Sequence, residues 1–409
     1  MKVVFIMPRY SNFFEPIGIG YIISFIKNNY RRKLDVEFFH DNFDNFDEMI
    51  KSASKANVVG ISCTTTTYKR AVEIAETIKL ISNPRIVLGG WHPTTMYASK
   101  VVHEVSNVFD QIIIGEGESA FLSILYGKKD PVIFGEKLNF DNLYWPDREI
   151  IKEYRHLDYC ERGWGERIGS FSSRRGCSHS CTMCGEYCMS HNIVRVRNNE
   201  DLLNEIDHVN KQYNLTKFKF IDPTFAYPKE ATIDFCKAKI KRDNKLPWEC
   251  MAHVAYLNRE VLQLMKDSNC QQVNIGCESG DPKILKAIRK GATISKIEEV
   301  FKVGHDIGLD MRAFFMVGFP EETEESFEMT KQLVRDIKPS VVGCTILTPF
   351  PGTQYYSHEK FKNIDWSNCN EYTNDFWDSK NFPNDQLKEM QRDFNEEFSN
   401  ILVEHQRLK

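Results

Sequence analysis

Cys177, Cys181 and Cys184 stand within eight residues of the stretch "RRGCSHSCTMCGEYC", and Cys188 closes it. Thiolates this close in sequence can wrap one compact metal centre, and soft sulfur ligands select iron–sulfur clusters or zinc. Three cysteines on a cubane leave one iron without a protein ligand, open to a substrate. A ferredoxin-type carrier uses four cysteines, in a run with intervals of two, two and three. Here the intervals are three, two and then three to Cys188, so full ligation is geometrically conceivable but the first interval departs. Structural zinc favours paired knuckles separated by a longer arm, which this stretch lacks. The expectation is an open cluster on Cys177, Cys181 and Cys184, with Cys188 a nonligand.

The rest of the chain must hold that loop. At 409 residues it is long enough for two to three domains. Hydrophobic residues make up 42% and charged residues 27%, and no apolar run is long enough to span a membrane. The net charge is −4 and basic runs are short, so neither nucleic acid nor a membrane surface is expected as a partner. The opening "MKVVFIMPRY" is strand-like and lacks the order of a secretory signal, which points to the cytoplasm. Thiols stay reduced there, so the twelve cysteines favour metal over disulfides.

Residues 1–127 alternate apolar runs with helical patterns: "KVVFIM", "LDVEFF", "NVVGIS", "RIVLGG" and "QIIIGEG" are the strands. The expectation is an α/β fold with a doubly wound, flavodoxin-like (Rossmann-like) parallel sheet, whose ligands sit at the carboxyl ends of the strands. The loops there carry Ser62, Thr64, Thr65 and Thr66 after the third strand, Gly89, Gly90, Trp91 and His92 after the fourth, and Gly115, Glu116 and Gly117 after the fifth. Glycines admit a close approach to the backbone and small hydroxyls offer hydrogen bonds without bulk, so together they line a slot. No G-x-G-x-x-G follows the first strand, which argues against a nicotinamide site.

Residues 128–168 read as a linker. From 169 to 355 a second series, "GSFSS", "KFKFI", "WECMA", "QVNIG", "MRAFFMV" and "VVGCTIL", makes six βα units, too few for a closed eight-stranded barrel. A partial (β/α)6 barrel is expected. Ser295 and Glu298 have the spacing of a capping box, and Leu202, Leu203, Ile206 and Val209 form an apolar stripe. The cysteine stretch follows the first strand, Asp222 the second, His253 the third and Glu278 the fourth, all on the face where barrel chemistry gathers. Residues 356–409 form a helical extension, with an amphipathic helix from "NDQLKEMQRDFNEEFSNILVEHQ".

C-x3-C-x2-C after the first strand, with "SSRRGC", "GCESGD", "FFMVGFPEET" and "TPFPGT", resembles the radical SAM enzymes. "GGWHPT", "GEGES" and "DNLYWPDRE" resemble the cobalamin-binding domain and linker that many of them carry. The resemblance implies a 4Fe-4S cluster whose open iron chelates S-adenosylmethionine (SAM), reductive cleavage to a 5′-deoxyadenosyl radical, and cobalamin in the first half. No D-x-H-x-x-G appears, so the histidine that ligates cobalt from below in cobalamin mutases has no counterpart. This fits a cobalamin whose base tail folds into the slot of the sheet. Met183 stands before the third cysteine, where the family often has an aromatic residue.

Within that resemblance Glu278 is expected to accept hydrogen bonds from the SAM ribose or amino group. Arg312 is expected to pair with the methionyl carboxylate, as guanidinium forks suit carboxylates. Asp222 and His253 are the candidate catalytic groups, Asp222 orienting substrate or water and His253 facing substrate or buried with satisfied nitrogens. The implied function is a cobalamin-dependent methyltransferase acting on an unactivated carbon of a small molecule, supplied with electrons by a flavodoxin or ferredoxin. The same cofactors serve rearrangement, cyclisation or oxidation, and a different class of reading is a non-enzymatic iron–sulfur or corrinoid carrier.

Overall fold

The computed structural model describes residues 1–10, 15–370 and 372–402. The chain forms two compact units, Met1–Arg162 with Phe350–Asn370, and Gly163–Pro349 with Glu371–Lys409. Residues 350–370 therefore join the first unit, and the C-terminal stretch is divided between the two.

In the first unit, β1 (Lys2–Met7), β2 (Asp35–His40), β3 (Val58–Ser62), β4 (Arg85–Gly89), β5 (Gln111–Ile114) and β6 (Val132–Phe134) form one sheet in the order β2-β1-β3-β4-β5-β6. All pairs are parallel. Central strands of such a sheet are covered on both faces, so their sequences are continuous apolar runs. Val3 to Ile6 of β1 are buried accordingly, Val3 and Phe5 in the core under one face and Val4 and Ile6 under the other. The order reverses between β1 and β3, the doubly wound pattern the alternating runs led us to expect. β6 lies within the segment expected to be connecting chain.

In the second unit, β7 (Ile168–Phe171), β8 (Lys217–Phe220), β9 (Trp248–Ala252), β10 (Cys270–Glu278), β11 (Asp310–Val317) and β12 (Val341–Ile346) run parallel in the order β12-β11-β10-β9-β8-β7. Among the described residues β7 and β12 do not pair, so the sheet is an open partial barrel, as six units predict. The stripe Leu202, Leu203, Ile206 and Val209 is buried on the helix Asn199–Tyr213. The helix Ile294–Asp306 is capped by Thr293, whose hydroxyl accepts from Lys296 N, and not by Ser295 with Glu298.

The outer edge of β12 is dressed by non-strand partners. Val342 N donates to Ile401 O at 2.7 Å, Ile346 N donates to Tyr372 O at 2.9 Å, and Cys344 O accepts from Gln391 Nε2 at 2.8 Å. Gln391 belongs to the C-terminal helix, which spans Asn384–Glu397, shorter than its amphipathic pattern suggests. The end of that pattern, 403–406, lies outside the described residues. No described helix is long and apolar enough to cross a membrane.

Candidate active site

The cysteine loop follows β7 and is tied down on two sides. Thr182 N donates to Ile288 O at 3.0 Å, and the Cys181 thiol lies 3.8 Å from Arg289 O. On the other side His179 stacks on His253, with centroids 4.0 Å apart and 16° between the planes. Tyr256 Oη is 2.8 Å from both His179 Nε2 and Ser178 Oγ. None of the twelve cysteines is in a disulfide. Cys177, Cys181 and Cys184 are partly or fully exposed as residues, whereas Cys188 is buried in the helix Glu186–Ser190. Burial raises the Cys181 thiol above its usual value, with the Lys290 cation pulling the other way. Among the described residues no three His, Cys, Asp or Glu side chains converge on one point that a single ion would fill. Three soft thiols on one loop, with the fourth buried apart in a helix, fit a cluster that keeps one iron corner without a protein ligand.

At the carboxyl end of β10 the register with β11 slips between Gly276, opposite Phe314, and Glu278, opposite Phe315. Such a bulge re-aims a side chain, and Glu278 takes a left-handed φ of 66°. Its carboxylate meets Lys290 Nζ at 2.7 Å, with both side chains nearly buried. Gly276 makes room: a Cβ there would collide with Glu278 Oε1 and come 2.9 Å from Lys290 Nζ. Burial works to lower the Lys290 pKa, but Glu278 outweighs it and the net shift is upward.

In the first unit, the rim at the ends of β3, β4 and β5 is knit together. Cys63 N donates to Gly89 O at 3.0 Å and His92 N to Cys63 O at 3.2 Å. Gly90 has φ 98°, and a Cβ there would lie 2.6 Å from Cys63 O. Thr94 Oγ1 accepts from Gly115 N and donates to Gly90 O, each at 3.0 Å. Ser62, Thr64, Thr66, Gly89, Gly115, Glu116 and Gly117 are half-buried on this rim and Trp91 is exposed. Thr65 and His92 turn inward: they are buried, His92 Nδ1 lies 3.3 Å from Thr65 Oγ1, and the imidazole stacks on Tyr68 at 4.0 Å. A rim of glycines and small hydroxyls at the carboxyl ends of these strands admits a close approach to the backbone and offers hydrogen bonds without bulk.

A family model described as the Radical SAM superfamily matches residues 171–334, and one described as the B12 binding domain matches residues 4–125. The chain joins a B12-binding domain to a radical SAM domain. An uncharacterized methyltransferase of Pyrococcus horikoshii is 25% identical over 390 residues, covering 89% of this chain and 84% of that protein. An anaerobic magnesium-protoporphyrin IX monomethyl ester cyclase of Rubrivivax gelatinosus is 25% identical over 385 residues, covering 86% and 68%. The bacteriochlorophyllide d C-12(1)-methyltransferase of Chlorobaculum tepidum is 24% identical over 337 residues, covering 80% and 71%. The structure of the radical S-adenosylmethionine methyltransferase TsrM from Kitasatospora setae, with cobalamin and a [4Fe-4S] cluster bound, matches with a TM-score of 0.72 at 16% identity, over 87% of this chain and 73% of that one.

Within the radical SAM domain the structure gathers the cysteine loop and Glu278 but sets three expected residues to other work. Asp222 is buried against the entry to the cysteine loop. It accepts from Ser173 N at 2.9 Å, Arg174 N at 3.1 Å, Ser172 Oγ at 3.3 Å and Ser173 Oγ, and pairs with Arg174 Nε at 3.8 Å. With its oxygens so engaged Asp222 ties down the chain that leads from β7 to Cys177. His253 donates from Nε2 to Lys290 O at 2.7 Å and accepts at Nδ1 from Ala255 N at 3.1 Å. Burial pushes its pKa down to about 3, so the imidazole is held neutral with both nitrogens satisfied. Arg312 sits near the amino end of β11, opposite Asn274, and its guanidinium turns to Asp310 at 3.3 Å, so it does not join Glu278 at the carboxyl end. Sequence reading missed Lys290, Tyr256 and His179. His179 was legible from its place inside the cysteine motif, but nothing local marks Lys290 or Tyr256.

Proposed function

We propose that the protein is a cobalamin-dependent radical SAM methyltransferase that acts, in a reducing cytoplasm, on an unactivated carbon of a small-molecule biosynthetic intermediate. The observation that carries the reading is the joint presence, in one chain, of a three-cysteine loop after the first strand of an open barrel and a glycine- and hydroxyl-rimmed doubly wound sheet. When bound, the cluster with SAM supplies a radical that takes a hydrogen atom from the substrate, and cobalamin supplies the methyl group. Cys177, Cys181 and Cys184 would hold the cluster. Glu278, held off solvent by Lys290, is placed to accept a hydrogen bond from the SAM amino or ribose group. Ser62, Thr64, Thr66, Gly89, Gly90, Gly115, Glu116 and Gly117 would line the cobalamin edge, with Thr65 and His92 behind them as support. These groups bind, orient and exclude water, which is the protein's share when cofactors carry the hard steps. Two of the relatives above are named methyltransferases.

The cyclase relative favours a second reading, in which the same cofactors drive cyclisation, rearrangement or oxidation. The full chain, reconstituted anaerobically with iron, sulfide and cobalamin and given dithionite and methyl-labelled SAM, separates the two. Release of 5′-deoxyadenosine with label passing to cobalamin supports methyl transfer. Release of 5′-deoxyadenosine with cobalamin unlabelled moves the function to the second reading, and no 5′-deoxyadenosine overturns both.

A further inference from the structure

The function proposed above consumes one electron at the cluster for each SAM cleaved, and the surface beside the cysteine loop has the chemistry to receive a protein that delivers it. The helix Pro282–Ala287 and the turn after it carry Lys283, Lys286 and Arg289, three cations spaced three residues apart and all exposed. Like charges at that spacing repel along a helix. Among the described residues none of the three has an anionic partner, in contrast to Lys290 in the same stretch, which is buried against Glu278. Lys286 and Arg289 flank a groove of about 720 Å³ whose apolar lining includes Leu285, Ala292 and Ile294. An apolar patch edged by unneutralised cations is the anatomy of a polar-rimmed protein interface and not of an ordinary solvated helix.

The groove also reaches the cysteine loop through covalent neighbours. Arg289 O lies 3.8 Å from the Cys181 sulfur, and Gly291, which lines the groove, is so close to His179 that a Cβ on it would stand 3.3 Å from the imidazole Cε1. A partner seated here would be separated from the loop by a single layer of backbone.

We propose that the surface formed by Lys283, Lys286 and Arg289 around this groove docks an acidic one-electron carrier protein of the flavodoxin or ferredoxin kind. The inference rests on the reading above, since a carrier is needed only where a cluster must be reduced. In the step itself the carrier is oxidised by one electron and the cluster on the cysteine loop is reduced by one, with no bond made or broken and no proton moved. Opposite charges steer the encounter and fix the orientation, and the apolar floor excludes water from the path.

The test compares the reconstituted full chain with its K283E/K286E variant, both side chains being exposed and outside the cofactor site. Dithionite-driven 5′-deoxyadenosine formation is expected to be equal in the two, which also reports an intact fold. Binding of a purified acidic flavodoxin and of a purified ferredoxin, followed calorimetrically at low salt, is expected to weaken by about tenfold in the variant for whichever carrier binds the wild type. Turnover driven by that carrier below saturation should fall by the same factor, and added salt should do to the wild type what charge reversal does to the variant. Equal carrier affinity in wild type and variant, or no binding of either carrier to the wild type, overturns the docking surface. Loss of dithionite-driven turnover in the wild type sinks the function instead, while the binding arm still decides the surface.

Discussion

Glu278 and Lys290 form a 2.7 Å ion pair laid over the bare backbone of Gly276. A strand bulge aims the carboxylate, a glycine clears the space, and a lysine outside the strand supplies the counter-charge. Removing one partner of a nearly buried pair leaves the other charge uncompensated, which costs about 3–5 kcal/mol. Lys290→Met should therefore destabilise the protein by about 3 kcal/mol in urea unfolding. Adding Glu278→Gln should recover part of the loss, and a double-mutant cycle measures the coupling. Strict additivity would mean the pair contributes nothing.

Asp222 should matter to the cluster through Arg174 and the two serines, not through substrate. Asp222→Asn leaves the Arg174 cation without its buried counter-charge, so unfolding stability should drop by about 3 kcal/mol. Iron retained after reconstitution and desalting should fall with it, because the strand end that delivers Cys177 loosens. A variant with normal stability and iron content but no turnover would instead make Asp222 a group that meets substrate.

Cys188 and the three loop cysteines should part company on substitution. Cys177→Ala, Cys181→Ala and Cys184→Ala should each lose most of the bound iron and sulfide, read by elemental analysis and by the visible absorbance of the reconstituted protein. Cys188→Ala should keep both, since its side chain faces the core. Iron loss in Cys188→Ala equal to that in Cys184→Ala would make the cluster fully ligated and closed to SAM.

His92 gives the B12-binding domain an acid-labile point. Burial pushes its pKa down from about 6.5 to about 3, so the unfolded chain binds the proton more readily. Its contribution is intact above pH 6.5 and is lost progressively as the pH falls from there towards 3. At pH 5 it amounts to about 2 kcal/mol of lost stability relative to pH 7. In His92→Gln the stability difference between pH 7 and pH 5 should shrink by about that amount in urea titrations at the two pH values. An unchanged difference would show that the imidazole is not buried neutral.

Ten of the twelve strands in the two large sheets announced themselves fully, and the central strands of the first sheet did so because strands covered on both faces must be apolar along their length, as "VVGIS" and "QIII" are. β6 is three residues long behind "GKKDP" and too short for any periodicity to register. β10 outran its expected "QVNIG" because the bulge at its end lies past the apolar run and holds the polar residue that matters there. The cysteine loop was legible because ligand spacing is local. Asp222 and His253 have residue types that suit catalysis, but what decides their role is who meets them: serines at the end of the neighbouring strand, a carbonyl at Lys290. Those partners are 37 to 50 residues distant in sequence and leave no local trace.

The outermost strand of the open barrel has consequences for handling the molecule. A strand with a bare flank is a template on which a second chain can add itself. Here Ile401, Gln391 and Tyr372 meet Val342, Cys344 and Ile346 in turn along that flank, so the C-terminal segment acts as a stopper against self-association. Trimming the protein at residue 383 for crystallisation would uncover the flank of β12 at Val342 and Cys344, and aggregated material is the expected yield. Retaining the chain through Leu402 keeps the stopper seated.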